Sequence, residues 1–166
     1  MEIPRPAPPR SAPEREMLEA WLDFHRLTLE RKCHGLAPAQ LRRRAVPPSA
    51  LSLLGLVRHM AEVERTWFRR RLAGEEAPRL YCSEQDRDGD WNGAVADPAV
   101  VADAWRAWRA EVAFAERYVA DSADLGSPGA GETPLRDVLV HMIEEYARHC
   151  GHADLLRERI DGRVGQ

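Results

Sequence analysis

Thr133-Pro-Leu-Arg-Asp-Val-Leu-Val-His-Met-Ile-Glu-Glu-Tyr-Ala-Arg-His149, continued by Cys150-Gly-His-Ala-Asp-Leu-Leu-Arg-Glu-Arg-Ile-Asp-Gly162, reads as one long helix carrying chemistry on its apolar face. Thr133 is placed to cap it, Pro134 suits its first position, and Gly162 suits its end. Gly151 interrupts the pattern without ending it. The seam runs Val138, Met142, Glu145, His149, His152 and Leu156, in steps of three and four. Three consecutive seam positions are ionisable, and a glutamate is almost never buried unless paired or coordinated. Four residues of helix advance roughly 6 Å and return to the same face, so Glu145 and His149 can chelate one ion.

A second helix expected over 52–73, with Ser52 as its N-cap and Gly74 after its end, has the seam Leu56, His59, Met60, Val63 and Trp67. Adding His59 gives two histidines and one carboxylate, a set used by catalytic zinc with an open position for water or substrate. Measured from the helix ends, His59 lies about 21 Å up its axis, and Glu145 and His149 about 17 and 23 Å up theirs. The three groups meet if the two helices are antiparallel. Blander readings stand beside this one. His59 alone is compatible with a hydrogen-bonded core histidine, and Glu145 with His149 is also an ordinary i,i+4 pair. His152 either lines the pocket, acts as a base behind the ligands, or is exposed. His141, four residues before Glu145, can hydrogen-bond it. Glu62 and Glu64 read as surface charges, one of which could orient His59.

Two further helices complete the pattern, and nothing reads as a strand. The first, over 14–34, is expected to open with a Ser11–Glu14 capping box and to end at Gly35. The other, over 98–120, begins Asp97-Pro98. Residues 1–13 hold five prolines and read as a flexible lead-in to a domain over 14–166. The segment 74–97 is long and polar, and its twenty-odd residues can span a whole helix. The expectation is an all-α four-helix bundle with a crossover between helices two and three.

Composition narrows the function. A chain of 166 residues with net charge −3 forms one domain and lacks the basic excess that nucleic acid demands. No apolar run approaches a membrane span, and Met1–Pro13 cannot supply a secretory signal, so a cytoplasmic location is expected. Cys33, Cys82 and Cys150 match neither a disulfide framework nor a Cys-x-x-Cys site. Asp86-Arg-Asp-Gly-Asp90 begins like a calcium loop but has Trp91 where glycine belongs, which leaves a solvated acidic loop. Arg42–Arg44 and Arg69–Arg71 read as solvated faces that could still draw an anionic small molecule. Trp21, Trp67, Trp105 and Trp108 are expected mostly in the core.

The stretches Leu51-Ser-Leu-Leu-Gly-Leu-Val-Arg-His-Met-Ala-Glu-Val-Glu-Arg-Thr-Trp-Phe68 and His141–Leu156 resemble the DinB superfamily, within a branch of small actinobacterial proteins. The resemblance covers about 14–162. It implies up-down-down-up helix order and one divalent metal, usually zinc or nickel. Many relatives use three histidines. Glu145 departs from that and instead resembles the amino-terminal domain of mycothiol-dependent maleylpyruvate isomerase, whose set is histidine, glutamate, histidine. On that match His59, Glu145 and His149 are the ligands. The implied activity is a thiol S-transferase that joins mycothiol to an electrophilic small molecule, with a role in detoxification, His152 as base and nearby arginines holding the anionic or sugar part of the thiol. A metal-dependent hydrolase and a non-catalytic metal- or ligand-binding stress protein are the competing expectations. A homodimer is compatible with each.

Overall fold

In the computed structural model, which describes residues 3–165, the helices are α1 (Glu14–Cys33), α2 (Pro38–Leu41), α3 (Leu53–Glu64), α4 (Gly89–Asn92), α5 (Pro98–Asp121) and α6 (Leu135–Asp161). α3 runs directly into a π-helical segment, Arg65–Leu72. The short helices α2 and α4 lie in connections that the sequence marks only as loops. Two caps form as expected. Ser52 Oγ accepts from Gly55 N at 3.1 Å, and Asp97 Oδ1 from Ala99 N at 2.8 Å.

The other two starts differ. Pro13 holds the N-cap position of α1 without a side-chain bond, so the Ser11–Glu14 capping box is not formed. Glu14 instead accepts from Arg136 Nε at 2.6 Å. At α6 the cap falls on Pro134 rather than Thr133, whose carbonyl is taken by Gly129 N at 3.0 Å. That bond commits Thr133 to the preceding turn, and the helix starts one residue later. The proline-rich leader meets α1 through Arg5, which donates to Thr28 Oγ1 and lies over the Phe24 ring.

Contacts fix the helix directions. Glu14 with Arg136 joins the starts of α1 and α6, while Arg157 Nη1 donating to the Lys32 and His34 carbonyls joins their ends. Those two helices are parallel. Arg65 with Glu111 and Leu72 O with Tyr118 Oη make α3 parallel to α5. Trp67 against His141 and His59 against His149 make α3 antiparallel to α6. The order is up-down-down-up, with residues 73–97 as the crossover. No helix among the described residues is long and apolar enough to cross a membrane.

The core is not wholly apolar. Glu64 is fully buried rather than a surface charge. Arg26 of α1 holds it with two bonds of 2.9 Å, Tyr146 Oη of α6 donates to it at 2.8 Å, and Trp108 Nε1 of α5 donates to Tyr146 Oη at 2.8 Å. One polar group from each long helix meets there, so each donor and acceptor is satisfied away from water. Burial, with the Glu64 carboxylate beside it, pushes the Tyr146 hydroxyl well above its usual range, so it stays a donor. Trp108 is buried as expected, whereas Trp21 is 41 % exposed and lies outside the core.

Urea unfolding of Arg26→Met is expected to show a loss of about 3–5 kcal/mol, because the buried Glu64 carboxyl loses its guanidinium partner. Arg26→Met/Glu64→Met recovers most of that loss. Tyr146→Phe costs about 1–3 kcal/mol by orphaning the Trp108 N–H.

Candidate metal centre

Filling the core with Glu64 and Tyr146 sets the rotation of both helices. The buried lines run through Met60 and Glu64 on α3 and Phe68 of the π-helical segment, and through Met142, Tyr146 and Ala153 on α6. The expected seams share Leu56, Met60, Val138, Met142 and Leu156 with these buried faces, and their remaining members lie to one side. His59, Val63, Trp67, Glu145 and His152 sit half-buried on the flanks, and His149 is the buried one among the ionisable seam positions. The flanks of antiparallel helices face each other across a groove, and the ionisable groups meet there.

Ligand atoms of His59, Glu145 and His149 lie within 4.8 Å of one another. His149 Nε2 is 3.5 Å from Glu145 Oε2. The height match expected for antiparallel helices is thus realised. His59 Nδ1 is 2.8 Å from Asp90 Oδ2, and with that nitrogen as donor its Nε2 lone pair is left for a ligand. A carboxylate behind a ligating histidine fixes the ring and raises its basicity.

Asp90 is the residue the sequence reading misses. It belongs to α4 and is 3 % exposed, so Asp86–Asp90 is not simply a solvated acidic loop. α3 itself pins α4. Arg58 donates to the Asp90 and Gly89 carbonyls at 2.8 and 2.9 Å and stacks on Tyr81. Glu62 is buried and accepts from Tyr81 N at 2.5 Å and Cys82 N at 3.3 Å. Neither Glu62 nor Glu64 orients His59; they hold the crossover and the core. Trp91 stacks on His59 with centroids 4.9 Å apart. It rests on Gly55, where a Cβ would lie 2.6 Å from the indole Cε3. The available signal was an acid-tryptophan pair, Asp90-Trp91, inside an unusually long polar connection.

Desolvation, reinforced by His59 and His152, holds the His149 imidazole down at about 4. It is therefore neutral at physiological pH and able to ligate. Its Nδ1 is 3.3 Å from His152 Nδ1, and His141 Nε2 is 3.4 Å from Glu145 Oε1. Two imidazoles and a carboxylate, one imidazole backed by Asp90, fit a divalent ion with room for a further ligand. The cysteines offer no competing nucleophile. Burial pushes the Cys33 and Cys150 thiols up to about 12, and it raises Cys82 as well.

The sequence matches the model of the mycothiol-S-transferase family over residues 17–162, and the chain belongs to that family. It shares its fold with a solved structure described as a conserved protein from Enterococcus faecalis. The TM-score is 0.60 at 15 % identity, over 92 % of this chain and 100 % of the other. A search of curated proteins finds no match.

Asp90→Asn is expected to weaken metal binding by roughly 10–100-fold in a chelator competition, with the helical spectrum unchanged. The metal-free protein should lose stability as pH falls from the ordinary histidine value of 6.5 toward 4. In that window the unfolded chain takes up a proton at position 149 and the folded chain does not. His149→Gln removes that share of the slope in acid-dependent urea titrations.

Proposed function

We propose that this member of the mycothiol-S-transferase family is a zinc-dependent enzyme that joins the sulfur of mycothiol to an electrophilic small molecule in the cytoplasm. The observation that carries the reading is the convergence of His59, Glu145 and His149 at an accessible edge of the bundle, with Asp90 behind His59. These three residues would hold the ion. When bound, it supplies the Lewis acidity that keeps a thiol ionised near neutral pH.

The remaining work falls to the chain. Asp90 holds His59 so that the Nδ1 proton points away from the ligand face. The Trp91 ring covers one side of His59 and keeps water from it. His141 steadies the Glu145 carboxylate, and Trp67 packs against His141 with centroids 4.3 Å apart. His152, half-buried beside the ligands, is the proposed acceptor of the thiol proton. Its Nδ1 faces His149 Nδ1, so taking up a proton there requires that contact to open. A base must also lie within reach of the proton it removes, and the half-buried position of His152 beside His149 supports that role.

The deciding experiment is elemental analysis of the purified protein alongside conjugation of mycothiol to a chromogenic electrophile. About one zinc per chain with mycothiol-dependent turnover is expected, and Glu145→Ala and His149→Ala should lose both together. A chain that takes up no metal on reconstitution, or that hydrolyses substrates without thiol, overturns the reading. For His152→Asn, retained metal with a shifted pH–rate profile marks a base. A drop in metal affinity instead assigns His152 to orienting His149.

A further inference from the structure

We propose that the cavity closed by the two chain ends binds a phosphate monoester, at a site separate from the candidate metal centre. The cavity holds about 790 Å³, within the range of small-molecule sites. It opens on a different side of α6 from the candidate metal ligands. Cys150 Sγ donates to the His25 carbonyl of α1, and Arg157, seven residues on, repeats that direction. Glu145 and His149 instead face His59 of α3. The rise from His149 to Arg157 is about 12 Å.

The chain ends build two of the walls. Gly162, at φ 81°, turns the chain out of α6, and Arg163 N donates to Asp161 Oδ1 at 3.2 Å. The tail then doubles back, since a Cβ on Gly165 would lie 3.0 Å from Asp154 Cγ. At the other end of the chain, Arg5 donates to Thr28 Oγ1 at 2.8 Å, which lays the leader back along α1. Ile3 of the leader and Val164 of the tail supply the apolar faces.

The remaining wall is cationic. Arg31, Lys32, Arg157 and Arg163 line it, against the single acid Asp161. Lys32 and Arg157 are 6 % and 4 % exposed, and each has a carboxylate beside it. Lys32 Nζ is 2.6 Å from Asp154 Oδ1, and Arg157 Nη2 is 2.7 Å from Asp161 Oδ2. No acid occurs between Glu30 and Glu62, so the loop after α1 brings no further counter-charge. The Arg163 side chain makes no hydrogen bond or ion pair among the described residues.

The C-terminal end of a helix ordinarily repels an anion. Here the carbonyls of α1 are taken. Arg31 O accepts from His34 N at 3.3 Å and Cys33 O from Leu36 N at 3.4 Å, while Lys32 O and His34 O accept from Arg157 Nη1 at 2.9 Å. Ammonium and guanidinium groups, which only donate, are left for a ligand. They come from three segments: α1, α6 and the tail. The three terminal oxygens of a phosphate monoester can meet all three, where a flat carboxylate with two oxygens cannot.

The test is calorimetry on the metal-free chain, so it stands whether or not the transferase reading holds. Ribose 5-phosphate is expected to bind, inorganic phosphate more weakly, and ribose not at all. Arg163→Gln, a change at an exposed position, is expected to weaken ribose 5-phosphate roughly tenfold with urea stability unchanged. Ribose or inorganic phosphate bound as tightly as the ester overturns the assignment, as does equal affinity in wild type and Arg163→Gln. So does a loss that follows Arg70→Gln/Arg71→Gln in place of Arg163→Gln, which puts the anion on the π-helical segment. Tighter binding of succinate than of ribose 5-phosphate overturns the choice of phosphate.

Discussion

The buried Arg26–Glu64 pair is the constraint on which the rest of the bundle depends. A charged pair in a core adds little net stability compared with well-packed apolar side chains, because desolvation offsets most of the attraction. Its contribution is register. Glu64 is satisfied only when α1 presents Arg26 and α6 presents Tyr146 at the same height, and Tyr146 is completed only by Trp108 of α5. A slide of one residue along any of these helices leaves a polar group unpaired. The candidate metal ligands inherit this precision: Tyr146 is flanked by Glu145 and lies three residues before His149, and Glu64 lies five after His59.

That same constraint explains which parts of the site were readable. Helical spacing identifies His59, Glu145 and His149 because a polar group on an apolar stripe stands out in any single helix. It also finds the four long helices and, from the length of 74–97, the crossover. What it misplaces is the rotation. A glutamate such as Glu64 looks like a surface charge until Arg26, thirty-eight positions away, is brought beside it. Spacing within one helix carries no trace of such a partner. Asp90 was hidden for the same reason, since a four-residue helix in a loop has no period to detect.

The arginine runs show the limit from the other side. Arg69, Arg70 and Arg71 are neighbours in sequence and read as one solvated face. The π-helical winding gives them three different fates. Arg69 is tied to Glu111 and Glu75, Arg71 lies on Trp67, and Arg70 is left open. The loop before α6 supports that winding. Ala130 N and Gly131 N cap the Leu72 and Arg71 carbonyls, and Gly129 packs so closely that a Cβ would lie 2.6 Å from Leu72 Cα.

The docking of α4 has a thermodynamic consequence of its own. One member of the candidate metal centre, Asp90, comes from a connecting segment and not from a long helix, so ion affinity and closure of that segment would be a linked pair of equilibria. The apparent affinity is the affinity of the closed form scaled by the fraction of molecules in which the segment is down. By reciprocity, an ion on His59 would hold the crossover against opening. Occupancy of the candidate site and docking of the crossover would then stabilise each other with no movement of the four main helices.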